Sequence, residues 1–247
     1  VRLSRRRLLA LAGAGSLAAG LAAAGGYLGR QRAMEPATLY TFGDSILDCG
    51  HYNPHGVHPG QLLVRNHDGL FPAFRGRDLA AHRDARLEHR AVDGATVDGL
   101  ARQGRGIQPA GPAVALLTIG GNDLIRGLAA DDGPGLRAFA ERLEAFLRAL
   151  PLRPVLIGTV YDPTFGDDRR NFLGVAPALA RANHQRVNAV LADAAARYGA
   201  LVDLHAHFLT GDPSWFTHTI EPSLAGASEV RRAFLAPAFQ ALGVEGV

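Results

Sequence analysis

The 247-residue sequence contains no lysine, so all 26 of its basic residues are arginine. That pattern reads as a compositional bias of the coding genome and not as a device for binding phosphate. Its single cysteine, Cys49, excludes an intrachain disulfide and leaves cysteine usage silent about compartment. Neither HExxH nor GxSxG occurs, which removes the zincin signature and disfavours the fold built around a nucleophile elbow. There is no internal repeat and no linker that would split the chain. Charge of one sign is not in excess either. Arg2, Arg5, Arg6, Arg7, Arg30 and Arg32 all precede the first acid, Glu35, and removing six from a net charge of +3 leaves −3. The remainder therefore offers no overall electrostatic footprint for nucleic acid. What is present, 47% hydrophobic and 20% charged residues, suffices for one full core and argues against wholesale disorder.

The first thirty residues read as an address. Ser4-Arg5-Arg6-Arg7-Leu8-Leu9 leads into an apolar run ending at Leu28, and Ala22-Ala23-Ala24 offers a small-residue cleavage site. Consecutive arginines before such a run resemble a twin-arginine export signal. The run is long enough to span a bilayer if uncut, although its Ala and Gly content makes it a weak anchor. Residues 1–34 are thus expected to be a signal peptide or N-terminal anchor, and 35–247 an exported domain. Gly13-Ala14-Gly15-Ser16-Leu17-Ala18 matches a dinucleotide-binding pattern, but no strand precedes it and no acid follows at the required distance.

From Pro36 the chain alternates apolar strand-like runs with helical patterns. Strands are expected at 38–42, 87–92 (broken by charge, hence near an edge), 113–119, 155–160 and 200–204. Leu136, Phe139, Leu143, Phe146, Leu147 and Leu150 recur at helical spacing and stop at Pro151. Further helices are expected at 177–198, closed by Gly199, and at 223–242. This alternation implies a three-layer α/β/α domain with a five-stranded, mostly parallel sheet. Residues 51–68, rich in Gly, Pro, Asn and His, read as a long loop.

Three polar groups follow the first three strands: Gly43-Asp44-Ser45, Asp93-Gly94-Ala95-Thr96 and Gly120-Gly121-Asn122-Asp123. In an open parallel sheet the carboxyl ends of strands converge on the ligand site. A serine hydroxyl, a glycine N–H free of side-chain obstruction and a side-chain amide at such ends are the equipment of acyl transfer. Asp44 and Asp123 are expected to fix loop geometry through local hydrogen bonds.

Phe42-Gly43-Asp44-Ser45-Ile46-Leu47-Asp48, Asp93-Gly94-Ala95-Thr96 and Gly120-Gly121-Asn122-Asp123 resemble the first three blocks of the GDSL/SGNH hydrolases, in order and over nearly all of the chain after Pro36. The resemblance implies a flavodoxin-like sheet and an esterase, lipase or deacylase that needs no cofactor and no metal. It assigns Ser45 as nucleophile, with Ser45, Gly94 and Asn122 as oxyanion donors.

The last block departs from the family. Where the family carries Asp-x-x-His before a proline and the final helix, the chain has His218-Thr219-Ile220-Glu221-Pro222. Glu221 then occupies the place of the catalytic histidine, and His218 that of the orienting aspartate. Serine needs a base, and three arrangements would supply one. His218 reaching Ser45 with Glu221 orienting it is the leading expectation. Glu221 acting directly, with burial raising its pKa, is the second. His51 or His58 folding over from the long loop is the third, and His184 is a more distant candidate. Asn183, His184 and Asn188 otherwise read as a solvated helix face. His205 and His207 read as a surface strand end, two imidazoles without a third metal ligand. Tyr161-Asp162-Pro163-Thr164 is either cleft lining or a simple turn. The expected partner is an ester-bearing small molecule, lipid or acylated glycan. Nucleic acid is not expected, and membrane contact is expected only through an uncut leader. A non-catalytic glycan-binding or scaffolding protein that kept the fold and lost the base is the alternative.

Overall fold

A computed structural model describes residues 35–244; the expected leader, residues 1–34, lies outside them. In chain order the principal elements are β1 (Ala37–Gly43), α1 (Pro59–Val64), β2 (Ala85–His89), α2 (Leu100–Gln103), β3 (Ala113–Thr118), α3 (Gly121–Ile125), α4 (Pro134–Ala149), β4 (Val155–Gly158), α5 (Pro177–Tyr198), β5 (Gly199–Val202), α6 (Leu204–Leu209), β6 (Phe216–Thr217), β7 (Glu221–Pro222) and α7 (Leu224–Ala241).

The five main strands form one sheet in the order β2-β1-β3-β4-β5, and every pairing is parallel. Strand side chains alternate between two cores. Tyr40, Phe42, Ala115, Leu117 and Ile157 face α4 and α5 through Phe139, Leu143, Val187 and Leu191. Leu39, Val114, Leu116 and Leu156 face α6 and α7 through Phe208, Val230, Phe234 and Phe239. This two-sided covering explains why β1 and β3 are nearly continuous apolar runs. The charged β2 sits at an edge, as its broken pattern suggested.

Strand order reverses between β1 and β3, and ligands bind outside the strand ends at such a switch point. Ser45 and Asn122 follow these two strands, so the topology alone brings them together.

Three expectations are corrected. Residues 51–68 are not a structureless loop. Pro59 at the first helical position and the Gln61 side chain, whose Oε1 accepts from His58 N–H at 3.1 Å, start α1, which buries Leu62 and Leu63. Upstream, Asn53 ties the chain together by donating to the Val57 carbonyl and accepting from Val57 N–H. His205 and His207 lie in α6, not on an extended strand end, because Asp203 caps that helix by accepting from Ala206 N–H. The helix face at Asn183 is not solvated. Asn183 donates to the Ala129 and Asp131 carbonyls, and Asn188 brackets Val160 by accepting from its N–H and donating to its carbonyl. These side chains satisfy loop backbone that would otherwise be buried unpaired. The β6–β7 hairpin was also unforeseen.

Candidate active site

The turn that carries Ser45 is held from several sides. Gly43 has φ +113°, and a Cβ there would lie 1.6 Å from the Thr118 carbonyl oxygen. Only glycine permits that approach. The buried Gln103 amide clamps it, accepting from Gly43 N–H at 2.7 Å and donating to its carbonyl at 2.8 Å. Asp44 accepts from Thr118 Oγ1 at 2.9 Å and from Ile46 N–H at 3.2 Å. Burial raises its pKa to about 7. Leu47 and Asp48 N–H groups both donate to the Asp44 carbonyl, closing one turn with Ser45 in it.

Two tethers carry the second strand's loop to this turn. Asp93 N–H donates to Asp48 Oδ2 at 2.9 Å, and Asn122 Nδ2 donates to the Ala95 carbonyl at 3.1 Å. Asp123 accepts from Val97 N–H at 3.2 Å. Between the tethers Gly94 takes φ +71°, and its carbonyl is bound by Arg126 at 2.9 Å. Among the described residues, neither Ser45 N–H nor Gly94 N–H donates to a partner. Asn122 keeps its second amide hydrogen. Three donors are thus left available on adjoining loops.

At the last block the Glu221 carboxyl lies close enough to Ser45 for the hydroxyl to influence its titration. Burial is the main influence on that carboxyl and raises its pKa; the Ser45 hydroxyl opposes this, Asp93 raises it further, and His51 and His218 lower it. Oε2 of Glu221 is buried with no partner. Glu221 does not cap the final helix. Ser223 does, accepting from Gly226 N–H, and a Cβ at Gly226 would lie 2.0 Å from the Trp215 carbonyl oxygen.

The histidines lie elsewhere. His218 and Thr219 have φ +47° and +75°, so the chain reverses in a tight left-handed turn between β6 and β7. That turn carries His218 onto the Tyr52 ring at 5.4 Å between centroids. His51 Nε2 and Tyr52 OH both reach Asp93 Oδ2, at 3.1 and 2.9 Å. His58 is buried against the His89 ring, and burial pushes its pKa down to about 4. His184 bonds the Val160 carbonyl at 2.8 Å. Of the groups weighed from the sequence, Glu221 is the one whose titration the Ser45 hydroxyl influences, and His51 and His218 act on Glu221 through their charge. Asp48, Gln103 and Tyr161, whose hydroxyl donates to the Ile220 carbonyl at 2.7 Å, also organise the site; Asp48 was visible as part of the first block and Tyr161 as a cleft-lining candidate, whose 161–164 segment does line the cavity beside Ser45, whereas Gln103 had no local signal. Among the described residues no three His, Cys, Asp or Glu side chains gather to hold a metal.

Residues 41–228 match the GDSL-like Lipase/Acylhydrolase family. The chain belongs to that family. Its members hydrolyse ester bonds, and this chain is a hydrolase of that kind carrying a divergent last block. Solved structures share the fold. An acetylxylan esterase from Geobacillus stearothermophilus is 23% identical, with a TM-score of 0.55 over 86% of this chain and 96% of that one. A lipase/acylhydrolase from Enterococcus faecalis is 16% identical, with a TM-score of 0.60 over 85% and 100%. An alpha/beta hydrolase from the metagenome of Lake Arreo, Spain, is 24% identical, with a TM-score of 0.55 over 87% and 98%. No curated protein matches significantly.

Proposed function

We propose that this GDSL hydrolase is an exported serine esterase in which Glu221 is itself the general base for Ser45. The observation that carries the reading is that the buried Glu221 carboxyl is near enough to the serine hydroxyl to be influenced by it. An unpaired buried acceptor such as its Oε2 costs about 1–3 kcal/mol.

In the proposed cycle Glu221 takes the Ser45 proton as Oγ bonds to the ester carbonyl carbon. The oxyanion receives hydrogen bonds from Ser45 N–H, Gly94 N–H and Asn122 Nδ2. Protonated Glu221 then gives its proton to the departing alcohol oxygen as the C–O bond breaks, leaving an acyl-enzyme. Water, deprotonated by Glu221, attacks the acyl carbon, and the proton returns to Ser45 as the acid leaves. The His51, Tyr52, Asp93 and His218 cluster supplies the charge surroundings of Glu221. Export rests on the arginine-led apolar segment of residues 1–34.

The test is hydrolysis of a short aryl ester by the protein and four variants. Ser45→Ala and Glu221→Gln are each expected to lose about 10²–10⁴-fold in kcat/KM. His218→Ala and His51→Ala are expected to lose far less. A protein disabled by His218→Ala and spared by Glu221→Gln would overturn the assignment. Turnover that survives Ser45→Ala would overturn the nucleophile.

A further inference from the structure

One cavity borders the serine. With a volume of about 120 Å³, it lies between α3, the 160–164 turn, the 168–173 segment and the start of α5. Ser45 and Asn122 form one end of its wall, and Glu221 is not on the wall. That asymmetry orients the ester, because the departing alcohol oxygen must face the group that returns its proton. With Glu221 off the cavity wall, the alcohol oxygen that takes its proton is directed outside the cavity and the acyl group into it.

The chemistry of the wall gives the class of acyl group. Its polar side chains are already engaged. Asp162 accepts from Thr164 N–H, Thr164 Oγ1 and Gly166 N–H. Asn171 donates to the Val175 carbonyl and accepts from Leu173 N–H. Asp168 pairs with Arg181, and His184 binds the Val160 carbonyl. Most of the remaining surface is hydrocarbon, including Leu124, Ile125, Phe172, Leu173 and Ile220. Ile125 and Phe172 are 46% and 42% exposed, large apolar side chains left open at the pocket.

We propose that this cavity holds the acyl chain of the substrate, and that the chain is an apolar one of several carbons and not an acetyl group. One water needs about 10–15 Å³ by the same kind of measure, so an acetyl methyl would leave most of the space unfilled. The proposal rests on Ser45 being the nucleophile and Glu221 the group that protonates the departing alcohol.

The experiment compares kcat/KM for p-nitrophenyl acetate, butyrate and octanoate in the protein, Ser45→Ala, Ile125→Asp and Phe172→Asp. Burial of each added methylene is expected to raise kcat/KM about fourfold until the cavity is filled. Either aspartate variant is expected to cut the octanoate-to-acetate ratio by about tenfold or more, since a charge in an apolar wall disfavours the chain. Preference for acetate, or a ratio unmoved by both variants, with hydrolysis still lost in Ser45→Ala, overturns the acyl pocket and leaves the nucleophile standing. If Ser45→Ala retains hydrolysis, the nucleophile reading fails instead. Calorimetric binding of 2-decanone, an uncleavable carbonyl compound, then decides the pocket. Binding stronger than that of 2-butanone and lost in Phe172→Asp supports it, and equal or absent binding overturns it.

Discussion

A serine hydroxyl is a poor nucleophile until a base removes its proton, and a carboxylate in water is too weak a base to do so near neutral pH. In the proposed role Glu221 meets this by burial, which disfavours the charged form and raises its pKa. Catalysis needs the ionised form, so activity falls as pH drops through the raised value. The acid limb of kcat/KM against pH is expected above the ordinary glutamate value of about 4.3, and a limb at or below that value would contradict the environment described for Glu221. Asp44 makes a complementary prediction about stability. Its folded pKa is raised to about 7, so the native state holds a proton that the unfolded chain has released. Asp44 therefore favours the fold at low pH and opposes it progressively as pH rises from about 4 to 7. Asn at this position keeps the Oδ1 that accepts from Thr118 and Ile46 and never ionises. Denaturant titrations of Asp44→Asn are expected to show a gain in stability over the parent at about pH 8 that shrinks towards pH 4.

At the scale of elements, the site depends on short pieces held by few bonds. The β6–β7 hairpin has two residues per strand and a left-handed turn at His218 and Thr219. Such a turn is strained for a β-branched residue by roughly 1–2 kcal/mol. The buried Tyr161 hydroxyl pins it at the Ile220 carbonyl, one residue before Glu221. Tyr161→Phe keeps the ring packing against Phe208 and Phe216 and removes only that bond. The expected result is a loss of about 1 kcal/mol in stability together with a fall in kcat, read from melting curves and steady-state kinetics on the same preparation. A drop in stability with kcat unchanged would show that the hairpin does not set the position of Glu221.

For the whole molecule, the controlling feature is how closely β1 and β3 approach at the switch point. Gly43 sits where the sheet meets the nucleophile turn, with the Thr118 backbone inside the space any side chain would need. Gly43→Ala must push apart two central strands buried on both faces, or abandon the left-handed φ. A loss above about 4 kcal/mol is expected, in the range reserved for severe backbone and core disruptions. Thermal unfolding that shifts by only a few degrees would show that the strands yield there.

The layer order was legible in the sequence because burial on two faces leaves a periodic record. Apolar runs marked β1, β3 and β4, helical spacing marked α4, and the edge position of β2 showed in its charges. The Ser45, Gly94 and Asn122 loops were legible too, because glycine and turn residues after strands leave few backbone solutions. α1 was missed because Gly, Pro, Asn and His read alike whether they build a loop or cap a helix. The polar side of α5 was misread because Asn183 and Asn188 look the same facing water or facing orphaned backbone. The base was open for a similar reason. His218 and Glu221 are separated by three positions, and which one meets the serine depends on the hand of the turn between them and on what pins it. Sequence by itself determined the parallel sheet and the three strand tips, because those follow from local propensity and burial. Only the tertiary structure brought Glu221 within the influence of Ser45, because those residues lie 176 positions apart and the turn that precedes Glu221 runs against local preference.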